Sequence, residues 1–329
     1  MQQVSETAVP ILVPTPSSNS SVRVIPEEWK VPIKLADFES VVKARDIELE
    51  YRIVRVLTEN ERMVSRLYRD ESTNGLNRYR DMVPFRENRV LLSNGSYINA
   101  SYMPSADGQN PKEYIASQGP LPHTIGDQWD MIWTEGISGV LTIGSLREGS
   151  VEKIAQYWPE GKNDSLEVVT SQGSSKSFGL KCIGEEEPFA GLKKRNILVS
   201  HLGEEREVRH YHFTAWPDHG AVPPSVLLGL ADVIKQERKS SESHHPPVLV
   251  HCSAGVGRTG CVLTMSNCVE WIEQQLVANR GDLSKCHISV LQIVLALREC
   301  RVHIIERTWQ YESIYSAISE LLTGLRRND

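Results

Sequence analysis

The sequence predicts a single α+β domain of about 290 residues behind a short tail. Three observations carry that expectation. Short strand-like apolar pieces recur between Asn77 and Val199, separated by Gly, Asn and Pro turns. Beyond Pro223 the apolar residues fall mainly at helical spacing. The two textures follow one another without the β-α-β alternation of an all-parallel sheet. A hydrophobic content of 40% with 24% charged residues is enough for a packed core.

Residues 1–35 read as a flexible N-terminal tail, because Pro10, Pro14, Pro16, Pro26 and the Ser-Ser-Asn-Ser-Ser run at 17–21 cannot bury much surface. Residues 36–325 form the expected domain. Within it, Ile47, Tyr51, Val54, Leu57, Met63 and Leu67 lie at near-helical spacing among charges and predict one or two amphipathic helices. Strands are expected at 90–92, 97–99, 114–116, 140–143 and 197–199. A further strand is expected in the alternating run of Tyr211 and Phe213 with His210 and His212. Val262, Met265, Val269, Ile272 and Leu276 share one helical face, and Tyr311, Ile314, Ile318 and Leu321 share another. The stretch 284–301, with Ile288, Leu291 and Leu295, reads as one more helix.

Composition removes several function classes. Lys+Arg 36 against Asp+Glu 42 gives a net charge of −6, which argues against nucleic acid or an anionic membrane as the main partner. No run reaches the ~18 apolar residues of a membrane span. The N-terminus lacks a basic n-region, so a secreted chain is not expected. Six cysteines show no Cys-x-x-Cys spacing, which excludes zinc-ribbon and thioredoxin-type motifs. Cys182, Cys261, Cys268, Cys286 and Cys300 read as small buried hydrophobes in a reducing, cytoplasmic or nuclear compartment. No histidine set has ligand spacing, so neither a metal nor a cofactor is expected.

Cys252 stands apart. The apolar strand Val248-Leu249-Val250 runs into His251-Cys252-Ser253-Ala254-Gly255-Val256-Gly257-Arg258-Thr259-Gly260, and a helix follows at once. A strand, a loop of small residues and a helix N-terminus make an anion cradle of converging N–H groups. Arg258 adds a planar fork suited to two phosphate oxygens. The same field favours the thiolate form of Cys252, a nucleophile for phosphoryl transfer. Gly255-x-Gly257-x-x-Gly260 matches the dinucleotide fingerprint in letters alone. Asp282 stands at the required distance, but no second strand precedes it. A Walker A loop fails because Cys252 and Arg258 occupy its Gly and Lys positions. A buried Cys in a glycine-rich turn would leave Arg258 unexplained.

His251-Cys252-x5-Arg258-Thr259-Gly260 resembles the signature of the protein tyrosine phosphatases. Further motifs recur in family order over about residues 40–320. Asn77-Arg78-Tyr79-Arg80-Asp81 resembles the phosphotyrosine-recognition loop. Tyr97-Ile98-Asn99-Ala100-Ser101, Tyr114-Ile115-Ala116-x-Gln118-Gly119-Pro120, Gln128-Trp129-x-Met131-x-Trp133 and Gln156-Tyr157-Trp158-Pro159 are similar to framework motifs. Trp216-Pro217-Asp218-x-Gly220 and Gln310-Tyr311-x-x-Ile314-Tyr315 complete the set.

The resemblance implies a tyrosine-specific, non-receptor enzyme with a twisted mixed β-sheet flanked by helices. It acts as a monomer, without metal, on phosphotyrosine-containing proteins. It implies Cys252 as nucleophile, Arg258 as phosphate clamp and Asp218 as general acid and base. His251 and Thr259 would hydrogen-bond the thiolate, and Gln310 would place the hydrolytic water. Ser253, Ala254, Gly255, Val256 and Gly257 would bind phosphate, while Tyr79 walls the cleft and Asp81 holds the substrate backbone. Arg80 is a weaker candidate for acidic flanking residues, and Lys153 and Glu148 match a loop that supports the Asp218 loop. A phosphotyrosine-binding module without activity and a dual-specificity enzyme are the rivals; Cys252, Arg258 and Asp218 disfavour the first, and the Tyr79 motif disfavours the second. One position departs from the family pattern: Glu306 stands where a Gln is usual. A carboxylate there is expected to turn onto Arg307 or Arg298 and to slow hydrolysis of the cysteinyl phosphate modestly.

Overall fold

The structure, a computed structural model, describes residues 25–173, 175–217, 220–239 and 246–327. The N-terminal part is helical apart from one short strand. It contains α1 (Glu27–Lys30), β1 (Ile33–Lys34), α2 (Phe38–Ala44), α3 (Ile47–Thr58) and α4 (Glu61–Arg66). Strands β2 (Arg89–Leu91), β3 (Tyr97–Met103) and β4 (Tyr114–Ser117) follow, then α5 (Ile125–Thr134) and β5 (Gly139–Ile143). A two-stranded ribbon, β6 (Arg147–Glu148) and β7 (Val151–Glu152), precedes β8 (Ser165–Val169) and a long meander. The meander is β9 (Ser177–Phe189), β10 (Leu192–His201) and β11 (Glu204–Phe213). The rest is α6 (Pro224–Lys239), β12 (Val248–His251), α7 (Gly257–Ala278), β13 (His287–Ile288), α8 (Val290–Cys300) and α9 (Thr308–Arg327).

Nine strands form one mixed sheet in the order β2-β3-β4-β12-β5-β11-β10-β9-β8. Its centre is parallel: β12 lies between β4 and β5, and β5 pairs in parallel with β11. The flanks are antiparallel. Residues of β12 alternate between two cores, as the period of two requires. Val248 and Val250 join a cluster with Leu227, Leu263 and Ile314 on the α6, α7 and α9 side. Leu249 joins Trp129, Ile132 and Tyr157 on the α5 side. A central strand covered on both faces is short, continuous and apolar, which is why Val248-Leu249-Val250 was visible in the sequence.

Two expectations are corrected. Only part of the 1–35 segment falls within the described residues, and that part is packed: Trp29, Ile33 and Leu35 are buried, and Ile33 pairs with Ile288. Its apolar side chains find a groove the proline count did not reveal. The single helix expected over 284–301 is instead a short 3-10 turn, β13 and α8. Asp282 accepts from the Ser284 N–H and Ser289 caps α8 by accepting from the Gln292 N–H, so local side-chain bonds break the helical period.

Candidate active site

The loop of residues 252–256 leaves the C-terminal end of β12, where ligands bind in open sheets with parallel strands. Its backbone is held from outside. His251 Nδ1 lies 3.0 Å from Cys252 O. The Gly119 N–H donates to Ser253 O at 2.9 Å. Arg301 donates from Nη2 to Ala254 O at 3.0 Å and from Nε to Gly255 O at 2.8 Å. Val256 O accepts from Gly260 and Ile305. Five consecutive carbonyls are thus tied away from the loop interior. The N–H groups of Ser253, Ala254, Val256 and Gly257 have no backbone acceptor among the described residues. That is the polarity an anion needs. Gly255 is obligatory here: its φ is +70°, and a Cβ would meet Ser117 O at 1.9 Å.

Cys252 is buried, and the Gly255 N–H donates to its Sγ at 3.3 Å. Arg258, on the first turn of α7, donates from Nη2 to Glu148 Oε1 at 2.9 Å. The other Glu148 oxygen faces Lys153 Nζ at 3.3 Å. Burial opposes charge on Glu148, but Arg258 and Lys153 outweigh it and hold the carboxyl below its ordinary range. Glu148 and Lys153 therefore form one charged chain with Arg258. Tyr79 Oη lies 3.0 Å from Ser253 Oγ, and that hydroxyl donates to Lys153 O at 2.9 Å, which fixes the phenol as a wall beside the loop. Asp81 is exposed and, with Arg80, Asp70 and Asn74, lines a pocket.

One sequence expectation changes at this level. His251 does not reach the thiol: its Nε2 lies 2.9 Å from Thr142 Oγ1 and 2.7 Å from Tyr157 Oη. It braces the strand end instead. Thr259 Oγ1 is buried with no hydrogen-bond partner among the described residues. Asp218, the expected general acid, lies outside the described residues. Its neighbours Trp216 and Pro217 are described: Trp216 is buried, and Pro217 O is 3.5 Å from Arg258 Nη2. Gln310 is buried, and its Oε1 accepts from the N–H groups of Glu306 and Arg307. Glu306 does not reach Arg298, which is buried and donates to Ile304 O, Ile305 O and Thr58 Oγ1.

Sequence reasoning missed Arg301. Besides the two loop carbonyls it donates to Asn99 Oδ1 at 2.9 Å and Ser101 Oγ at 3.2 Å, and its side chain is wholly buried. Burial pulls its guanidinium down to about 10. The signal was a charged residue between the end of α8 and the apolar run Val302, Ile304, Ile305, where an unpaired buried Arg would be costly. Replacing Arg301 by Met should cost about 2–4 kcal/mol of stability, because several buried acceptors lose their donor. Urea titration together with kcat/KM checks this; an unchanged denaturation midpoint would show that the loop does not depend on it.

A second consequence is a pH dependence of stability. Burial lowers His251 and His212 to about 4 and His210 in the same direction. The unfolded chain takes up these protons near pH 6.5 while the folded one does not, so stability falls as pH drops from about 6.5 toward 4. Each of the two groups can remove up to about 3 kcal/mol across that window. Urea midpoints at about pH 7.5 and about pH 5 measure it. Equal midpoints would contradict it.

Sequence and structure comparisons agree on the class of protein that this sheet and loop define. The protein-tyrosine phosphatase family model matches residues 73–320. Tyrosine-protein phosphatase non-receptor type 14 of Homo sapiens is 34% identical over 76% of this chain and 21% of its own length. The human non-receptor type 7 enzyme is 35% identical, over 74% of this chain and 62% of its own. The crystal structure of the catalytic domain of human non-receptor type 18 superposes with a TM-score of 0.73 at 25% identity, covering 88% of this chain and 99% of that one. The chain belongs to the protein-tyrosine phosphatase family. It spans about a fifth of the type 14 relative and about three-fifths of the type 7 relative.

Proposed function

We propose that the chain hydrolyses phosphotyrosine in proteins through a cysteinyl-phosphate intermediate. The observation that carries this reading is the loop around Cys252 Sγ, with its carbonyls tied outward, its N–H groups unclaimed by backbone and Arg258 alongside. Preorganised donors of this kind stabilise the equatorial oxygens of a transferring phosphoryl group without reorganisation cost. Cys252 thiolate attacks phosphorus while the phosphorus–oxygen bond to tyrosine breaks, and Asp218 gives its proton to the departing phenolate. Water then attacks the cysteinyl phosphate, its proton passes to Asp218, and the P–S bond breaks to release inorganic phosphate and the thiolate. Gln310 orients that water, and Thr259, with an uncommitted buried hydroxyl, is the donor suited to the thiolate.

Tyr79 supports tyrosine over serine or threonine, since a wall fixed on Ser253 gives the cleft depth that only a long aryl phosphate spans. Asp81 would hold the substrate backbone, and Arg80 would meet acidic flanking residues; both are exposed. Related phosphatases support the substrate class: PTPN18 has been solved in complex with HER2-pY1196 phosphopeptides. Six free cysteines among the described residues suit a reducing compartment. No described helix is long and apolar enough to cross a membrane, and no described group of three His, Cys, Asp or Glu could hold a metal. Phosphate release from matched phosphotyrosine and phosphothreonine peptides tests the reading. Equal rates would replace it with a dual-specificity enzyme, and no release from either, with binding retained, would leave a phosphotyrosine-binding module.

A further inference from the structure

Two polar side chains converge on Gly257, the first residue of α7. A Cβ built there would lie 2.8 Å from Gln310 Nε2 and 3.3 Å from Glu306 Oε2. Gln310 is held in place by the two N–H groups that its Oε1 accepts. Glu306 brings a formal negative charge to the rim of a loop built for anions, at the end of α7 where the helix dipole also favours negative charge. Among the described residues it pairs with Arg307, with Nη2 3.7 Å from Glu306 Oε1 and both side chains well exposed. Such a pair is largely screened.

We infer that Glu306 sets the affinity of the loop for oxyanions, holding it below what the N–H groups and Arg258 would otherwise give. The inference rests on the phosphatase reading and deepens it. A fixed charge beside the loop acts alike on free phosphate, on the phosphoryl group of the substrate and on the cysteinyl phosphate. An effect uniform across bound states changes KM and the inhibition constant for phosphate while leaving kcat nearly unchanged. The consequence is an enzyme that releases inorganic phosphate readily and tolerates it as a product. This differs from a brake on the water step, which would appear in kcat.

The test compares wild type, Glu306→Gln and Glu306→Asp. Inorganic phosphate is the probe, read by calorimetry and by competitive inhibition of a phosphotyrosine peptide. Removing the charge should tighten phosphate binding and lower KM by about three- to fivefold, the scale of a partly exposed charge interaction. The gain should shrink with added salt, kcat should stay within about twofold, and Glu306→Asp should keep the wild-type affinity. Unchanged phosphate affinity in Glu306→Gln overturns the inference, as does a rise in kcat without a change in affinity. The affinity comparison stands even if the wild type binds phosphate but turns over no peptide, a result that would defeat the phosphatase reading instead.

Discussion

Replacing Cys252 by Ser should reduce turnover to less than about 1% of wild type, because an alcohol is a far weaker nucleophile than a thiol or thiolate toward phosphorus. Binding of a phosphotyrosine peptide should survive. The N–H groups of residues 253–258 and the Arg258 fork are untouched by the change, and the loop carbonyls remain tied to Arg301, Gly119 and Ile305. Ser and Cys differ little in volume, so the fold should be unaffected. Single-turnover kinetics and peptide titration measure the two halves separately. Turnover near the wild-type rate would remove Cys252 from the nucleophile role, and loss of both binding and fold would show that the thiol is structural.

The second large effect is expected at Asp218. Asp218→Ala should lower kcat on a phosphotyrosine peptide by about 10²–10⁴, the usual contribution of a general acid. The loss should be much smaller with a nitrophenyl phosphate, whose phenolate leaves without a proton. The split between substrates matters more than the loss itself, since a merely structural residue would slow both alike. Among the described neighbours of Asp218, Trp216 is buried and Gly220 has a φ of +111°. Equal losses on both substrates would exclude the acid role.

How much of this was legible in the sequence differs between local and long-range features. The loop was readable because its chemistry is contiguous: strand, small residues, Arg258 and helix start follow one another within about a dozen positions. The buried strand β12 was readable as a short apolar run, but its place between β4 and β5 was not, since register across more than a hundred residues leaves no local mark. Arg301 was missed because its acceptors, Asn99, Ser101, Ala254 and Gly255, come from two distant segments. His251 was assigned to the thiol because it adjoins Cys252, whereas its ring turns to Thr142 and Tyr157 on the far side of the strand. Adjacent residues on a strand face opposite ways, so adjacency in sequence misled. Glu306 is expected on either Arg307 or Arg298, and in the fold it makes a long exposed contact with the first while Arg298 turns to the Ile304 carbonyl.

The pairing of Ile33 with Ile288 has a kinetic consequence. These residues are roughly 250 positions apart, and the partners in β4 and β12 are also widely separated, so long loops must close before these pairings repay the lost chain entropy. Refolding from denaturant should accordingly be slow for the chain's length. During synthesis, Cys252 emerges from the ribosome well before Arg301 and Ile305, which tie its loop. Until those residues arrive the carbonyls of Ala254, Gly255 and Val256 lack the donors that tie them outward, and the growing chain should carry no hydrolytic activity.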